Sequence, residues 1–167
     1  MDVRMDGRNA IITGGSRGLG RAMAMRFAES GAGVAIVARR EDVLAATKAE
    51  IEAAAPSAAV ITCTADVSSA DGVKSAFDQA INGLGQIDIV VNNAGSSMAR
   101  PFEEVTDEMW QADLELKLFG AIRMIRLALP GMKERSWGRI INILNTGAKS
   151  PRAGSTPTTV SRAAGLN

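Results

Sequence analysis

Short apolar stretches alternate with longer segments of helical periodicity along this chain. Five stretches are apolar almost throughout, which is typical of strands in a parallel sheet covered by helices on both faces. The predicted strands cover residues 10–13, 34–38, 59–65, 87–92 and 139–144. The repeated order of strand and helix predicts an α/β fold, with a doubly wound parallel sheet between two helical layers and right-handed crossovers.

The segments between these strands end at residues that stop helices. Gly31 follows the first helical segment, where glycine accommodates the left-handed conformation common after a helix C-terminus. Ser68 and Asp71 predict a capping box at the start of the third helix, and Pro130 predicts a bend or interruption in the fourth. The predicted helices cover residues 18–30, 41–55, a segment that starts after Ser68, and 106–132. A polar loop over residues 145–157 follows the fifth strand.

Length and charge restrict the class of protein. The chain has 167 residues, so residues 1–167 are expected to form one domain. The 19 basic and 18 acidic residues give a net charge of +1, which argues against a nucleic-acid partner. Because no stretch is apolar for the length of a signal peptide or a membrane span, a cytoplasmic protein without a membrane partner is expected.

The residue types present exclude several kinds of chemistry. Histidine is absent and Cys63 is the only cysteine. An internal disulfide, a histidine-based catalytic triad and a zinc site built from histidine and cysteine are therefore impossible. No metal is expected.

A glycine-rich turn follows the first predicted strand and leads into the first helix. Its sequence is Thr13-Gly14-Gly15-Ser16-Arg17-Gly18-Leu19-Gly20. Glycines let the backbone turn tightly and approach a pyrophosphate, and a helix N-terminus offers free N–H groups to it. The order of strand, glycines and helix indicates a dinucleotide site rather than an ordinary glycine-rich turn.

The end of the second predicted strand indicates which dinucleotide is bound. An acidic residue there would accept a hydrogen bond from the ribose 2′-OH of NAD, but this chain has Arg39. A guanidinium suits a 2′-phosphate, and Arg17 in the turn can reach the same group. The sequence therefore favours NADP(H) over NAD(H). The alternative is that Arg39 and Arg40 are solvated residues at a helix start.

These motifs resemble those of the short-chain dehydrogenase/reductase family. The turn TGGSRGLG is similar to its TGxxxGxG motif, and residues 92–95 match its NNAG motif. The resemblance implies a Rossmann-type sheet, hydride transfer between NAD(P)(H) and a small carbonyl or alcohol substrate, and a homo-oligomer. The positions expected to line the cofactor are Gly14, Ser16, Arg17, Gly18, Leu19, Gly20, Arg39, Asp66, Val67, Asn93, Ala94 and Gly95.

The chain departs from the family at all four catalytic positions. The family's Tyr-x-x-x-Lys falls on Thr158 and Arg162, its serine on Asn145 and its asparagine on Lys117. A threonine hydroxyl is a much weaker acid than a tyrosine phenol of pKa about 10, so Thr158 is expected to be a poor general acid. Arg162 stays protonated but can still bond ribose hydroxyls, and Asn145 can donate a hydrogen bond to a carbonyl oxygen.

Lys117 lies on or beside the apolar face of the fourth predicted helix. A desolvated lysine has a lowered pKa and can act as an acid near neutral pH. Alternatively, Lys117 extends past the core into solvent, or pairs with Asp113 or Glu115.

Family members continue beyond the helix that carries Arg162, so the chain is expected to be a fragment of a longer single-domain protein. The expected function is an NADP(H)-dependent oxidoreductase with an altered active site, resembling reductases of oxoacyl and ketone substrates. The alternatives are a dinucleotide-binding sensor or scaffold without turnover, and a structural partner in a hetero-oligomer.

Overall fold

A computed structural model describes residues 3–166. These residues form a parallel five-stranded sheet in the order β3-β2-β1-β4-β5. The strands are β1 (Asn9–Thr13), β2 (Gly33–Ala38), β3 (Val60–Thr64), β4 (Ile89–Asn92) and β5 (Arg139–Asn142). The predicted strands are confirmed, and each boundary lies within two residues of its prediction.

Helices cover both faces of the sheet. They are α1 (Gly18–Glu29), α2 (Glu41–Ala54), α3 (Ala70–Leu84), α4 (Asp107–Leu114), α5 (Gly120–Glu134) and α6 (Thr158–Ala164). Ala24 of α1 and Leu44 of α2 pack against one face, while Val73 of α3 and Met124 of α5 pack against the other. The predicted three-layer α/β fold is confirmed.

The strand order reverses between β1 and β4, and a crevice at the carboxyl ends of the strands is expected where that happens. The hydroxyl of Thr13, at the end of β1, joins the two sides of this point. Its Oγ1 accepts hydrogen bonds of 3.0 Å from the backbone N–H groups of both Asn93 and Ala94. The glycine-rich turn is thereby fixed against the segment that follows β4.

The capping box predicted from Ser68 and Asp71 is wrong by one residue. Ser69 is the N-cap of α3, and its hydroxyl accepts a hydrogen bond of 3.0 Å from the backbone N–H of Gly72. The hydroxyl of Ser68 instead donates to the Asp66 carboxylate at 2.8 Å. The helix therefore begins one residue later than the predicted capping box places it.

An interruption of the fourth predicted helix exists, but not at Pro130. Helix α5 continues through Pro130 to Glu134, and Ala128 and Met132 on either side of the proline are both buried. Packing of this face on the sheet keeps the helix regular where the proline removes one backbone hydrogen bond. The irregular part lies earlier, as a π-helical segment over Glu115–Phe119. Such segments are frequent at functional sites, and this one contains Lys117.

Across residues 3–166, no helix combines the length and apolar character needed to cross a membrane.

Candidate cofactor groove and polar cluster

A cavity of about 720 Å³ lies at the carboxyl ends of β1, β2 and β3, next to α4. It brings together residues from the glycine-rich turn, the ends of β2 and β3, and the segment after β4. We call this cavity the groove. The predicted cofactor residues that line it are Gly14, Ser16, Arg17, Arg39, Asp66, Val67, Ala94 and Gly95.

The turn leaves the start of α1 open to an anion. Gly14 and Gly18 have φ of +66° and +51°, in the left-handed region that favours glycine. Arg17 is the N-cap of α1 but makes no side-chain capping hydrogen bond, and the first turn of the helix carries no acidic residue. The first N–H groups of α1 are therefore not capped by a side chain, which fits the pyrophosphate of a dinucleotide.

Four predicted cofactor residues do not line the groove: Gly18, Leu19, Gly20 and Asn93. Leu19 has 57% of its surface exposed. Gly20 and Asn93 lie behind the turn and hold its shape. A Cβ on Gly20 would lie 2.2 Å from the Gly14 carbonyl oxygen, while the Asn93 amide donates to the Thr13 carbonyl oxygen at 2.9 Å.

Three arginines line the end of the groove formed by β2 and the turn: Arg17, Arg39 and Arg40. Arg40 is paired with Asp42 at 2.7 Å. Arg39 is 78% exposed, and its nearest carboxylate, that of Asp66, is 3.9 Å away. The backbone N–H of Ser68 donates to Asp66, and this hydrogen bond, with the Ser68 hydroxyl and the Arg39 charge, holds the pKa of Asp66 below its ordinary value. Within residues 3–166, the Arg39 guanidinium therefore has only one long ion pair, with Asp66.

A buried polar cluster lies beside the groove, where α4, the π-helical segment and α6 meet. Lys117 donates hydrogen bonds to Asp113 and, at 3.0 Å, to the hydroxyl of Thr158. Asp113 also accepts a hydrogen bond of 2.6 Å from the hydroxyl of Ser161. The side chains of Lys117 and Asp113 are 2% and 0% exposed. We call Asp113, Lys117, Thr158 and Ser161 the polar cluster.

The protonation of Lys117 depends on opposing effects. Burial lowers the pKa of its ammonium group, and the hydrogen bond and charge of Asp113 partly oppose that shift. The nearby charge of Arg162 lowers the same pKa further. The alternative that Lys117 pairs with Asp113 is what the structure contains, and Glu115 pairs instead with Arg123 at 2.6 Å.

Three of the four predicted catalytic positions meet. Arg162 donates to the Ile143 carbonyl oxygen at 2.5 Å, and its guanidinium and Lys117 both lie behind Gly95. Lys117 and Arg162 also line a second cavity of about 380 Å³ between α5, β5 and α6. Asn145 is exposed at the start of the short 3-10 helix Thr146–Ala148 and, like Thr158, lines neither cavity, so its predicted place around the nicotinamide stays a prediction.

Sequence reasoning named Asp113 as one possible partner of Lys117 but missed Ser161 as a member of the cluster. The spacing of four residues between Asp113 and Lys117 is a usable signal, because residues four apart in a helix are neighbours. Ser161 lies 48 residues from Asp113 in the sequence, and no local pattern connects the two. No group of three His, Cys, Asp or Glu side chains within residues 3–166 is arranged to hold a metal ion.

The chain is similar to several known oxidoreductases. An uncharacterized oxidoreductase of Mycobacterium tuberculosis is 37% identical over 155 residues, which are 89% of this chain and 45% of that protein. D-beta-hydroxybutyrate dehydrogenase of Cupriavidus necator is 39% identical over 142 residues, 85% of this chain and 54% of that protein. The chain therefore spans about half the length of these curated relatives.

The fold is similar to that of solved oxidoreductases. L-sorbose reductase from Gluconobacter frateurii, complexed with NADPH and L-sorbose, superposes with a TM-score of 0.94 at 34% identity, covering 98% of this chain and 62% of that one. The sequence profile of the short chain dehydrogenase family matches residues 8–166. With its glycine-rich turn, parallel sheet and groove, the chain belongs to the short chain dehydrogenase family.

Proposed function

We propose that the groove binds NADP(H) and that the protein transfers a hydride between this cofactor and a small carbonyl or alcohol substrate, with an altered set of catalytic residues. When bound, the reduced cofactor supplies the hydride. The chain's own residues hold the dinucleotide through the turn and the start of α1, while the polar cluster beside Gly95 supplies a proton donor. Membership of an oxidoreductase family supports this proposal.

The observation that carries the choice of NADP(H) is the position of Arg39. It lines the groove at the end of β2, is mostly exposed, and has its nearest carboxylate 3.9 Å away. Arg17 lines the same part of the groove. An exposed and only weakly paired guanidinium at this end of the groove favours a 2′-phosphate on the adenosine ribose, and the solved relative from Gluconobacter frateurii is complexed with NADPH.

Cofactor titration tests this choice. We expect the wild type to bind NADPH at least about tenfold more tightly than NADH, since a charge-assisted hydrogen bond contributes ~1.5–3 kcal/mol. Arg39→Ala removes most of that preference. Arg26→Ala is the matched control, because Arg26 is an exposed arginine that pairs with Glu29 outside the groove. Equal affinity of the wild type for NADPH and NADH contradicts the proposal.

Turnover is tested separately. NADPH oxidation is followed by absorbance with a panel of small ketones and β-keto esters, and NADP⁺ reduction with the corresponding alcohols. We expect at least one pair to react. Binding of NADPH without any reaction contradicts the hydride-transfer part of the proposal and leaves the binding part standing.

A second candidate is a dinucleotide-binding sensor or scaffold without turnover. One observation favours it: Lys117 and Asp113 form an almost fully buried ion pair, as in a contact that only stabilises the fold. Tight NADPH binding, no reaction with the panel, and a Lys117→Met variant altered only in stability identify this candidate.

The small-molecule substrate, the assembly as a homo-oligomer and the cytoplasmic location stay predictions. Light scattering of the protein tests the assembly as a homo-oligomer directly. No nucleic-acid or membrane partner belongs to the proposal.

A further inference from the structure

The hydroxyl of Thr158 has a defined hydrogen-bond direction. Its oxygen accepts from the backbone N–H of Met98 at 2.9 Å and from Lys117 Nζ at 3.0 Å. A hydroxyl oxygen has two lone pairs, and these two donors use both. What remains is the hydroxyl hydrogen, for which no protein acceptor is found within residues 3–166. Thr158 is therefore arranged as a donor with a protonated lysine directly behind it.

The ammonium behind Thr158 is held rigidly. One oxygen of Asp113 accepts from Lys117 and the other from Ser161, so the carboxylate is oriented from two sides. Both charged side chains are almost fully buried. A charge-assisted hydrogen bond shielded from water holds its donor, here Lys117, in place more strongly than a hydrogen bond exposed to solvent does.

The Thr158 hydroxyl lies close to the groove. Its partner Met98 lines the groove, as do Gly95 and Asp113. Thr158 itself is 5% exposed and lines neither cavity, so its hydroxyl lies one hydrogen bond behind the groove wall, at Met98. Lys117 lies behind Gly95 and lines the second cavity, so it has an approach of its own that does not pass through the groove.

We propose that Lys117 protonates the substrate oxygen through the Thr158 hydroxyl, and that Asp113 is the positioning residue that holds Lys117 for this relay. The inference rests on the proposed carbonyl reduction. The carbonyl carbon gains a hydride, with its electron pair, from the reduced dinucleotide. The substrate oxygen forms an O–H bond as the Thr158 O–H bond breaks, and Thr158 regains a proton as an N–H bond of Lys117 breaks. Lys117 is left neutral and is reprotonated from solvent.

This arrangement explains how the site works without tyrosine. Thr158 alone is too weak an acid, but here it only passes on a proton that Lys117 supplies. The charged groups that face Lys117 are Asp113 from α4 and Arg162 from α6, while Glu115 faces Arg123. Because the relay needs a protonated lysine, kcat for carbonyl reduction is expected to fall as pH rises through the Lys117 pKa. Asp113→Asn removes the group that raises this pKa, so the fall should occur at lower pH.

The test compares Thr158→Val with Thr158→Ser in the protein that binds NADPH, using the best ketone of the panel. Valine has the shape of threonine without the hydroxyl, and serine restores the hydroxyl. We expect Thr158→Val to lower kcat by about a hundredfold, the effect of removing one donor to a developing oxyanion. Thr158→Ser should stay within about tenfold of the wild type, and neither change should alter NADPH affinity.

A second measurement does not depend on activity. NMR titration of ¹³C-labelled lysine, with Lys117→Met to assign the signal, gives the Lys117 pKa in the wild type and in Asp113→Asn. We expect the pKa to fall in Asp113→Asn by the same amount as the shift in the kcat profile. An unchanged lysine pKa overturns the positioning role even if Thr158→Val does not fold.

Three outcomes separate the hypotheses. If Thr158→Val folds and keeps kcat within about threefold of the wild type, the relay is wrong while the proposed function stands. If Thr158→Val and Thr158→Ser lose activity equally, the hydroxyl is not the reason and the relay is again wrong. If the wild type binds NADPH but reduces no ketone, the proposed function fails, and the relay fails with it.

Discussion

Lys117 and Asp113 form an ion pair across one helical turn, and their side chains are 2% and 0% exposed. Asp113 lies in the last turn of α4, and Lys117 lies in the π-helical segment that follows. Ser161 binds the same carboxylate from α6. Through Asp113, the pair therefore links α4 and the π-helical segment, which are consecutive in the chain, to the distant helix α6.

Breaking this buried pair is expected to lower the free energy of unfolding much more than breaking a partly exposed pair does. Asp113→Ala leaves a buried ammonium without a partner, which typically costs ~3–5 kcal/mol of unfolding free energy. Glu115→Ala is the control, because Glu115 and Arg123 are 25% and 24% exposed and such pairs contribute up to ~1 kcal/mol. Urea unfolding followed by circular dichroism measures both. A loss below ~1 kcal/mol for Asp113→Ala contradicts the interpretation of the pair as a buried contact.

The sheet and the turn could be predicted from the sequence because their signals are local. Residues 34–38 and 139–144 are apolar runs of strand length, and the order of strand, glycines and helix is contiguous in the chain. The errors arose where a distant or competing contact decided the outcome. Ser69 caps α3 while Ser68 bonds Asp66, and Pro130 leaves α5 intact because packing on the sheet continues past it.

The polar cluster could be predicted only in part. The four-residue spacing allows the pairing of Lys117 with Asp113, but the sequence equally allows pairing with Glu115 or extension of Lys117 into solvent. The contribution of Ser161 depends on how α6 docks against α4, which no local pattern encodes. The position of Asn145 depends on the loop after β5, where the segment turns into an exposed 3-10 helix.

Cys63 is expected to be unreactive in the folded protein. It is fully buried in β3, and burial raises the pKa of its thiol to about 12, so almost no thiolate exists at pH 8. A thiol reagent such as DTNB should release colour only in guanidinium chloride. Ser57→Cys places a thiol at an exposed position and should react at once in native buffer. Rapid reaction of the native wild type would show that β3 opens readily.

Gly20→Ala is expected to weaken dinucleotide binding although Gly20 does not line the groove. The new methyl group would lie 2.2 Å from the Gly14 carbonyl oxygen and 2.6 Å from Asn93 Nδ2, so the turn has to move. We expect NADPH affinity to fall by at least about tenfold with much of the fold retained. Gly7→Ala is the control for general destabilisation: nothing lies within 4 Å of its added carbon, but its φ of +71° makes alanine strained there, and Gly7 does not line the groove. Affinity that is lost equally in both variants would mean that general destabilisation is responsible.

The edge of the sheet at β5 is expected to make this chain self-associate. Within the described residues 3–166, strand β5 pairs with β4 on one side only, and Ile140 and Ile141 are 39% and 38% exposed on its two faces. An unpaired strand edge with exposed apolar side chains is a template for pairing with another chain. Ile141→Lys should therefore shift the protein towards the monomer in light scattering, whereas Val160→Lys, at a 46% exposed position on α6 and not on a strand, should leave its size unchanged. A charge on an edge strand opposes pairing with a second chain. If only Ile141→Lys reduces the measured size, edge pairing is responsible, and if both variants reduce it, a general gain in solubility is. A wild-type chain that is already a monodisperse monomer at millimolar concentration would contradict the prediction.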